Sequence, residues 1–158
     1  MPLHLEIVTP EKRAFVGDVD EVVVPGSEGE MGILPHHAPL ISTLGEGVLR
    51  LKQGANVQEI AIFGGFVQVR PDRVVVLAET ADLASEIDLE RAERARREAE
   101  QLIEGGITEE ADLAAARAAL QRALIRIKLA ERGPRAPRAE HEGGRRRPSP
   151  HGQEPPGE

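Results

Sequence analysis

Residues 29–40 have the sequence GEMGILPHHAPL, and the surrounding domain is organised around this stretch. Gly29 and Gly32 permit φ values that other residues avoid, whereas Pro35 and Pro39 each fix φ and remove a backbone donor. A helix cannot continue through this composition, and neither can a regular central strand. We therefore predict a shaped, partly apolar loop between two strands, of the kind that proteins use to contact a partner.

The flanking sequence, residues 3–80, predicts an all-β domain. Leu3, Leu5 and Ile7 alternate with their neighbours in the first strand, and short apolar runs along the rest of the stretch end at Gly or Pro turns. We expect a turn at residues 45–47 and a strand break at Gly64-Gly65. Because no helix-length segment separates the strands, the pattern favours a sandwich or flattened barrel over a parallel sheet with helical crossovers.

Beyond residue 82 the pattern becomes helical. One helix is predicted over 88–103, with Asp88 as its N-cap and Gly105 as a left-handed C-terminal cap. A second helix runs to about Arg132 and carries apolar side chains at alternating steps of three and four: Leu113, Ala116, Leu120, Ala123, Ile127 and Ala130. The short glycine connection predicts an antiparallel hairpin. Because alanine buries little apolar area, the hairpin is either a detachable element or a fixed cover on the sandwich.

Together these patterns predict an α+β chain of 158 residues. An all-β sandwich or flattened barrel occupies 1–84, an antiparallel two-helix hairpin occupies 85–133, and 134–158 form a disordered tail rich in Pro, Gly and Arg. A net charge of −7 argues against nucleic acid as a partner. The chain has no cysteine, no signal-peptide pattern and no apolar run long enough to span a bilayer, so we expect a soluble protein of a reducing compartment.

Two motifs in the first half of the chain invite a chemical interpretation. His36-His37 could ligate a metal, but adjacent residues of an extended segment point to opposite sides and no further ligand stands at useful spacing. We therefore expect a structural or partner-contacting role for both histidines, with a metal-dependent enzyme as a minor alternative. Residues 26–32 are glycine-rich, but without a Lys-Ser/Thr ending and a following helix they do not form a phosphate-binding loop. The pattern predicts no active site.

Arg122 and Arg126 are four residues apart, so both lie on one face of the second helix. Asp88, Arg91 and Ala92 lie near the start of the other helix. Because a guanidinium group binds phosphate through two parallel hydrogen bonds, the folded hairpin could hold an anion. The alternative is a solvated helix face on which these arginines pair with glutamates.

Three segments of the sequence resemble the epsilon subunit of bacterial F-type ATP synthase. In order they are Gly29-x-x-Gly32-Ile33-Leu34-Pro35-x-His37-x-Pro39-Leu40, Gly64-Gly65-Phe66-Val67-x-Val69-x-Pro71-x-x-Val74 and Ile87-Asp88-x-x-Arg91-Ala92. The resemblance covers about residues 3–132. It implies an N-terminal sandwich followed by a two-helix hairpin, in agreement with the prediction from periodicity.

The resemblance implies a non-catalytic subunit of the central rotor stalk, which couples proton flow through the c ring to ATP synthesis. It also implies a peripheral position on the cytoplasmic side of the bacterial plasma membrane, with the gamma subunit and the c ring as partners. The residues that match the region facing these partners are Glu30, Ile33, Leu34, Pro35, His36 and His37.

The resemblance further implies regulation by the hairpin, which in the family extends into the catalytic head and inhibits ATP hydrolysis. Basic residues of the second helix would then meet acidic segments of the alpha and beta subunits; here they are Arg117, Arg122 and Arg126. No cofactor is required, but some family members bind ATP on the folded hairpin, and the matching positions are Ile87, Asp88, Arg91, Ala92, Arg122 and Arg126. Glu98 replaces a basic residue of an ATP-binding relative and would repel phosphate. An ATP-sensing module is the alternative function.

Overall fold

The computed structural model describes residues 2–132, in which an all-β domain precedes two helices. The strands are β1 (Leu3–Val8), β2 (Arg13–Val19), β3 (Glu21–Gly26), β4 (Gly29–Ile33), β5 (Leu40–Gln53), β6 (Asn56–Val69) and β7 (Arg73–Leu83). A short 3-10 helix (Ala84–Glu86) leads to α1 (Leu89–Glu104) and α2 (Glu110–Arg132). The predicted α+β fold, a sandwich followed by a helical hairpin, is confirmed. The tail predicted over 134–158 lies outside the described residues.

The strands form one sheet in the order β2-β1-β7-β6-β5-β3-β4, which folds over into a sandwich. Neighbouring strands are antiparallel except for β1 and β7. These are the first and last strands, so their parallel pair needs no helical crossover. The Asp20 amide donates to the Lys52 carbonyl over 2.8 Å, and Gln53 Nε2 donates to the Asp18 carbonyl over 2.8 Å. These bonds join the β2 end of the sheet to β5.

An aliphatic core fills the sandwich, as expected for a chain with three Phe and no Trp or Tyr. Within residues 2–132 its buried members all come from the β domain: Leu3, Leu5, Ile7, Val19, Val22, Val24, Ile33, Leu44, Leu49, Leu51, Ile60, Ile62, Val67, Val69, Val74, Val76, Ala78 and Ala81. The hairpin contributes none of them. The sandwich therefore has a hydrophobic core of its own.

Strands β5 and β6 are continuous, which corrects the turn predicted at 45–47 and the break predicted at Gly64-Gly65. The two glycines have φ values of 73° and 119°. They bend β6 without inserting a residue, because Phe63 still pairs with Thr80 on one side of the bend and Gly65 with Ala78 on the other. The glycines mark a bend within one long strand, a distinction that sequence pattern alone does not make.

The bend shifts the alternation of side chains along β6 by one residue. Before it, Ile60 and Ile62 face the core, and after it the core-facing residues are Val67 and Val69. The intervening outward positions before the bend are also buried, because α2 covers them: they are Ala61 and Phe63. The bend thus gives β6 a second buried face, on which the hairpin packs.

The stretch of residues 29–40 is part strand and part loop. Gly29–Ile33 is β4, an edge strand beside β3, so the predicted loop is confined to residues 34–39. An edge strand tolerates these glycines because only one side of its backbone is paired. The loop is tied to the rest of the sandwich at His36, which has a φ of 69° and whose amide donates to the Pro71 carbonyl over 2.7 Å.

The first helix begins and ends close to the predicted positions. The Asp88 side chain accepts a hydrogen bond from the Arg91 amide, which confirms the predicted N-cap. The left-handed residue is Gly106, with a φ of 75°, rather than Gly105, which keeps a helical φ of −70°. Because α1 continues one residue further than predicted, to Glu104, the chain reverses direction one residue later.

Helix α2 is buried on two faces. The predicted seam toward α1 is present, since Ala116, Ala123 and Ile127 of α2 and Ala92 and Ala99 of α1 are buried. The second face was not predicted: Leu129 is buried against Ala61 and Phe63 of β6, with Ile125 beside it. The hairpin is therefore folded against the sandwich.

Candidate functional site

A cavity of about 430 Å³ opens where β7 leads into the hairpin. The end of β7 and the segment after it supply carboxylates, the first turns of α1 supply Arg91 and alanines, and α2 supplies Arg126. The lining residues are Asp82, Glu86, Ile87, Asp88, Arg91, Ala92, Ala95, Ala123 and Arg126. Five of the six residues that the resemblance assigned to ATP lie here, and the sixth, Arg122, does not.

Arg126 occupies the centre of this arrangement. Its Nε donates to Asp82 Oδ2 over 2.8 Å, and its guanidinium carbon lies 4.6 Å from the centre of the Phe63 ring. The ion pair is partly buried, and the aromatic face adds a cation–π contact. Arg126 therefore bridges α2, β6 and β7, and an anion that binds it must compete with the Asp82 carboxylate.

Arg122 points to a different strand. Its Nε donates to Glu46 Oε1 of β5 over 2.9 Å. Glu98, which the sequence marked as unfavourable for phosphate, is exposed on α1 and does not line the cavity. The electrostatic obstacle to an anion comes instead from the cavity's own carboxylates, Asp82, Glu86 and Asp88.

Two of these three carboxylates already have a cationic partner. Asp82 pairs with Arg126, and Glu86 Oε2 lies 2.5 Å from Lys12 Nζ. Asp88 is used as the N-cap of α1. Within residues 2–132 the guanidinium group of Arg91 has no carboxylate partner, so it is the cavity cation that is available to a ligand.

Lys12 reaches the cavity rim because the β1–β2 turn is built around Thr9. The Thr9 hydroxyl donates to the Lys12 carbonyl over 3.1 Å and accepts from the Lys12 amide over 3.1 Å. It also accepts from the Glu11 amide over 3.3 Å. The sequence did not predict a role for Lys12, Asp82 or Glu86. The turn that carries Lys12 is far from the hairpin in sequence, and a single acidic residue does not show which basic side chain it will pair with.

A second cavity, of about 630 Å³, lies between α2 and the middle of β5, and Glu30 of β4 also lines it. Arg117, assigned to inhibitory contacts, lines it together with Leu120, Leu124 and Lys128. Leu124 is half exposed. This side of α2 is thus basic and partly apolar, whereas Arg122 and Arg126 are turned toward the sheet.

Comparison with known proteins accounts for both domains. The family model for the beta-sandwich domain of the ATP synthase delta/epsilon chain matches residues 2–84, and the model for its long alpha-helix domain matches 85–131. The chain belongs to the ATP synthase delta/epsilon chain family. The resemblance to the epsilon subunit is thereby confirmed.

Individual members of the ATP synthase delta/epsilon family agree with this assignment. The ATP synthase epsilon chain of Halalkalibacterium halodurans is 47% identical over 130 residues, which are 82% of this chain and 98% of the relative. That of Desulforamulus reducens is 49% identical over 128 residues, 81% of this chain and 96% of the relative. In a cryo-EM structure of the Euglena gracilis mitochondrial ATP synthase, comprising OSCP, F1 and the c-ring, a chain 24% identical shares the fold with a TM-score of 0.65. The match covers 83% of this chain and 80% of that one.

In this delta/epsilon family member, the residues assigned to the gamma and c-ring contacts lie in β4 and in the loop that follows it. Leu34 is exposed, and Ile33 is buried in the core. His37 Nδ1 lies 2.7 Å from the Ala38 carbonyl. Glu30 Oε2 accepts from Arg50 Nη2 over 3.3 Å. The loop, which includes Pro35 and His36, is thus anchored at its start by the buried Ile33, and it exposes Leu34 to solvent.

Across residues 2–132 no group of three or more His, Cys, Asp or Glu side chains is arranged to hold a metal ion. Over the same residues no helix is long and apolar enough to cross a membrane.

Proposed function

We propose that this chain is a non-catalytic subunit of the central stalk of an F-type ATP synthase. In this role it couples proton flow through the c ring to ATP synthesis and regulates ATP hydrolysis through its hairpin. Its partners are the gamma subunit and the c ring, and it is a peripheral component at the cytoplasmic face of the bacterial plasma membrane. The observation that carries this proposal is the match of both domains, over residues 2–131, to the delta/epsilon family.

The loop at residues 34–39 supports a role in transmitting torque. A contact that carries force must deform little, and this loop is fixed by two prolines, by the His36 amide bonded to the Pro71 carbonyl, and by the buried Ile33 at its base. We infer that the exposed Leu34 and the histidines contact the rotor partners.

The hairpin supports a regulatory role. Its second helix lies on the sandwich through contacts that include charged side chains, and Arg117 remains on the open side of that helix. When the hairpin extends, Arg117, Arg122 and Arg126 become available to acidic segments of the alpha and beta subunits, which holds the catalytic head in an inhibited state.

The test is a comparison of the ATP synthase complex with full-length chain and with a chain ending at residue 84. The sandwich has its own core, so the shortened subunit should assemble. We expect ATP hydrolysis to rise while ATP-driven proton pumping is retained. Unchanged hydrolysis would rule out regulation by the hairpin, and loss of proton pumping would show that the sandwich alone does not couple the rotor.

A second function, ATP sensing, is favoured by one observation: Ile87, Asp88, Arg91, Ala92 and Arg126 line a single cavity. We propose that ATP, if it binds, places its phosphates on Arg91, because Arg126 is already paired with Asp82. Such binding would favour the folded hairpin. Three carboxylates in the lining should keep the affinity low.

Titration of the full chain with ATP, followed by calorimetry, tests this second function. Saturable binding that is lost in Arg91→Ala and retained in Arg94→Ala, an exposed arginine of the same helix, would support it. The comparison uses Arg91 because Arg126→Ala would also remove a contact between hairpin and sandwich. Absence of binding at millimolar ATP would leave the hairpin responsive to its protein partners alone.

A further inference from the structure

The face of α2 that meets the sandwich alternates basic and apolar side chains. After the first of these residues, the others follow at distances of three, four, seven and ten residues, a spacing that places all of them on one side of a helix. These residues are Arg122, Ile125, Arg126, Leu129 and Arg132. Ile125 and Leu129 pack on β6, so the arginines flank an apolar strip on both sides.

The sandwich presents the complementary pattern. On its outward face Glu46 of β5 pairs across the ladder with Phe63 of β6, and Asp82 of β7 pairs with Ala61. Glu59 lies two residues before Ala61 in the same strand and therefore faces the same side. Three carboxylates on three neighbouring strands thus surround the apolar spot formed by Ala61 and Phe63.

Each of these carboxylates receives one arginine of α2. Arg122 Nε lies 2.9 Å from Glu46 Oε1 and Arg126 Nε lies 2.8 Å from Asp82 Oδ2. Arg132 Nη1 lies 3.1 Å from Glu59 Oε2, and the Glu59 side chain is only 5% exposed. We call these three contacts the inter-domain ion pairs. They extend over three turns of α2.

The apolar part of the same interface is small. Its buried members are Ala61, Phe63 and Leu129, and an alanine buries little apolar area. Separation of the helix from the sheet would return three arginines and three carboxylates to water, where each ion is well solvated. An interface of this composition can open without leaving an unpaired buried charge behind.

We propose that the inter-domain ion pairs hold the folded hairpin on the sandwich, and that ionic strength and competing anions set the released fraction. Any anion that binds Arg122 or Arg126, whether a phosphate group or an acidic protein segment, must compete with Glu46 or Asp82 for the guanidinium group. The sandwich carboxylates therefore act as an internal competitor for ligands of the α2 arginines. The ion pairs act within the isolated chain, whether or not ATP binds.

The experiment measures the distance between sandwich and hairpin in the full chain. The chain contains no cysteine, so Glu28→Cys and Gln101→Cys, both at exposed positions, give two unique sites for spin labels. Double electron–electron resonance then resolves folded and released populations. Increasing NaCl from about 0.1 M to about 1 M shortens the screening length from about 10 Å to about 3 Å.

We expect the ratio of released to folded chain to rise roughly tenfold over this range, since the two partly exposed pairs, Arg122–Glu46 and Arg126–Asp82, each contribute about threefold. Glu46→Gln and Asp82→Asn should each raise the ratio about threefold at low salt. The matched controls are Lys128→Gln on α2 and Glu79→Gln on β7, exposed charges without an ion pair within residues 2–132. Both should leave the ratio unchanged.

A charge exchange separates attraction between the pair from other effects of substitution. Arg122→Glu alone should release the hairpin, and combination with Glu46→Arg should restore the folded population. If salt does not change the ratio, if the controls act as strongly as Glu46→Gln, or if the exchange fails to restore folding, apolar packing alone holds the helix and the proposal is wrong.

Discussion

At Gly65 the fold of the sandwich leaves no room for a side chain. Its φ is 119°, and a Cβ at this position would lie 2.0 Å from the Leu77 carbonyl oxygen. Gly65→Ala should therefore reduce the free energy of unfolding by at least about 3 kcal/mol. Gly54→Ala is the matched control: φ is 58° there and nothing lies within 4 Å of the added methyl group, so only about 1–2 kcal/mol of backbone strain is expected. Urea unfolding measures both, and equal losses would contradict the steric argument.

Glu6 makes the sandwich sensitive to acid. The hydrogen bond from Arg73 holds the pKa of the Glu6 carboxyl below its ordinary value, and the charges of Arg73 and Arg13 act in the same direction against the effect of burial. A lowered folded-state pKa means that Glu6 stabilises the fold above the unfolded pKa, and that this contribution is lost as pH falls through the folded value.

Glu6→Gln tests this contribution, because glutamine keeps the shape but does not titrate. We expect the substitution to lower the free energy of unfolding at neutral pH and to flatten the decline of this free energy as the pH falls below 4.5, the ordinary pKa of a glutamate. Glu11→Gln, on the exposed turn that follows β1, is the control. Parallel pH profiles for wild type and Glu6→Gln would show that Arg73 does not stabilise the ionised carboxyl.

At the scale of single elements, the helices show what periodicity predicts and what it misses. The seam of α2 toward α1 follows from apolar spacing, and Ala116, Ala123 and Ile127 are buried as expected. The second buried face, with Leu129 at its centre, did not show in the apolar pattern of the sequence because arginines interrupt it. A charged residue is assigned to solvent when only the helix is considered. Its carboxylate partner lies on a strand some 40 to 80 residues away in sequence, and only the folded chain identifies it.

Arg96 is a weak point of α1. Its Nε is buried without a hydrogen-bond partner among the described residues, and the nearest carboxylate oxygen, on Glu100, is 4.0 Å away. An unsatisfied buried donor is costly, and an unbranched thioether fits such a site. We expect Arg96→Met to stabilise the hairpin by about 1 kcal/mol, seen as slower amide hydrogen exchange in α1. Arg97→Met, at an exposed position, should not do so, and faster exchange in Arg96→Met would contradict the prediction.

For the molecule as a whole, sequence pattern predicted the architecture better than the candidate site. Strand-rich and helix-rich halves, the aliphatic core and the Asp88 cap all follow from local rules. The cavity that contains Arg91 also depends on β7, on the Thr9-based turn that places Lys12, and on the docking angle of α2. How these elements come together is not a local property, so the motif could identify five lining residues but not the carboxylates that face them.

The two domains should differ in how much each depends on the other. The main core takes its buried members from the β domain alone within residues 2–132, whereas α2 requires the outward face of β6 to bury Leu129. A chain ending at residue 84 should therefore unfold cooperatively in urea, with a smaller m-value because less surface is exposed. A peptide of residues 85–132 alone should be only partly helical, because its seam is mainly alanine and its second face has lost its partner.

Circular dichroism on both fragments tests whether the sandwich folds without the hairpin and whether the hairpin is helical without the sandwich. The control is an equimolar mixture of the two fragments, in which the helicity of the peptide should rise because the peptide recovers the sheet face. The rise should be smaller when the sandwich fragment carries Asp82→Asn, because that fragment lacks the carboxylate that pairs with Arg126. A sandwich fragment without a cooperative transition would mean that α2 is part of its core. In that case the hairpin could not leave the sandwich without unfolding it, and the detachable regulatory element proposed here would be excluded.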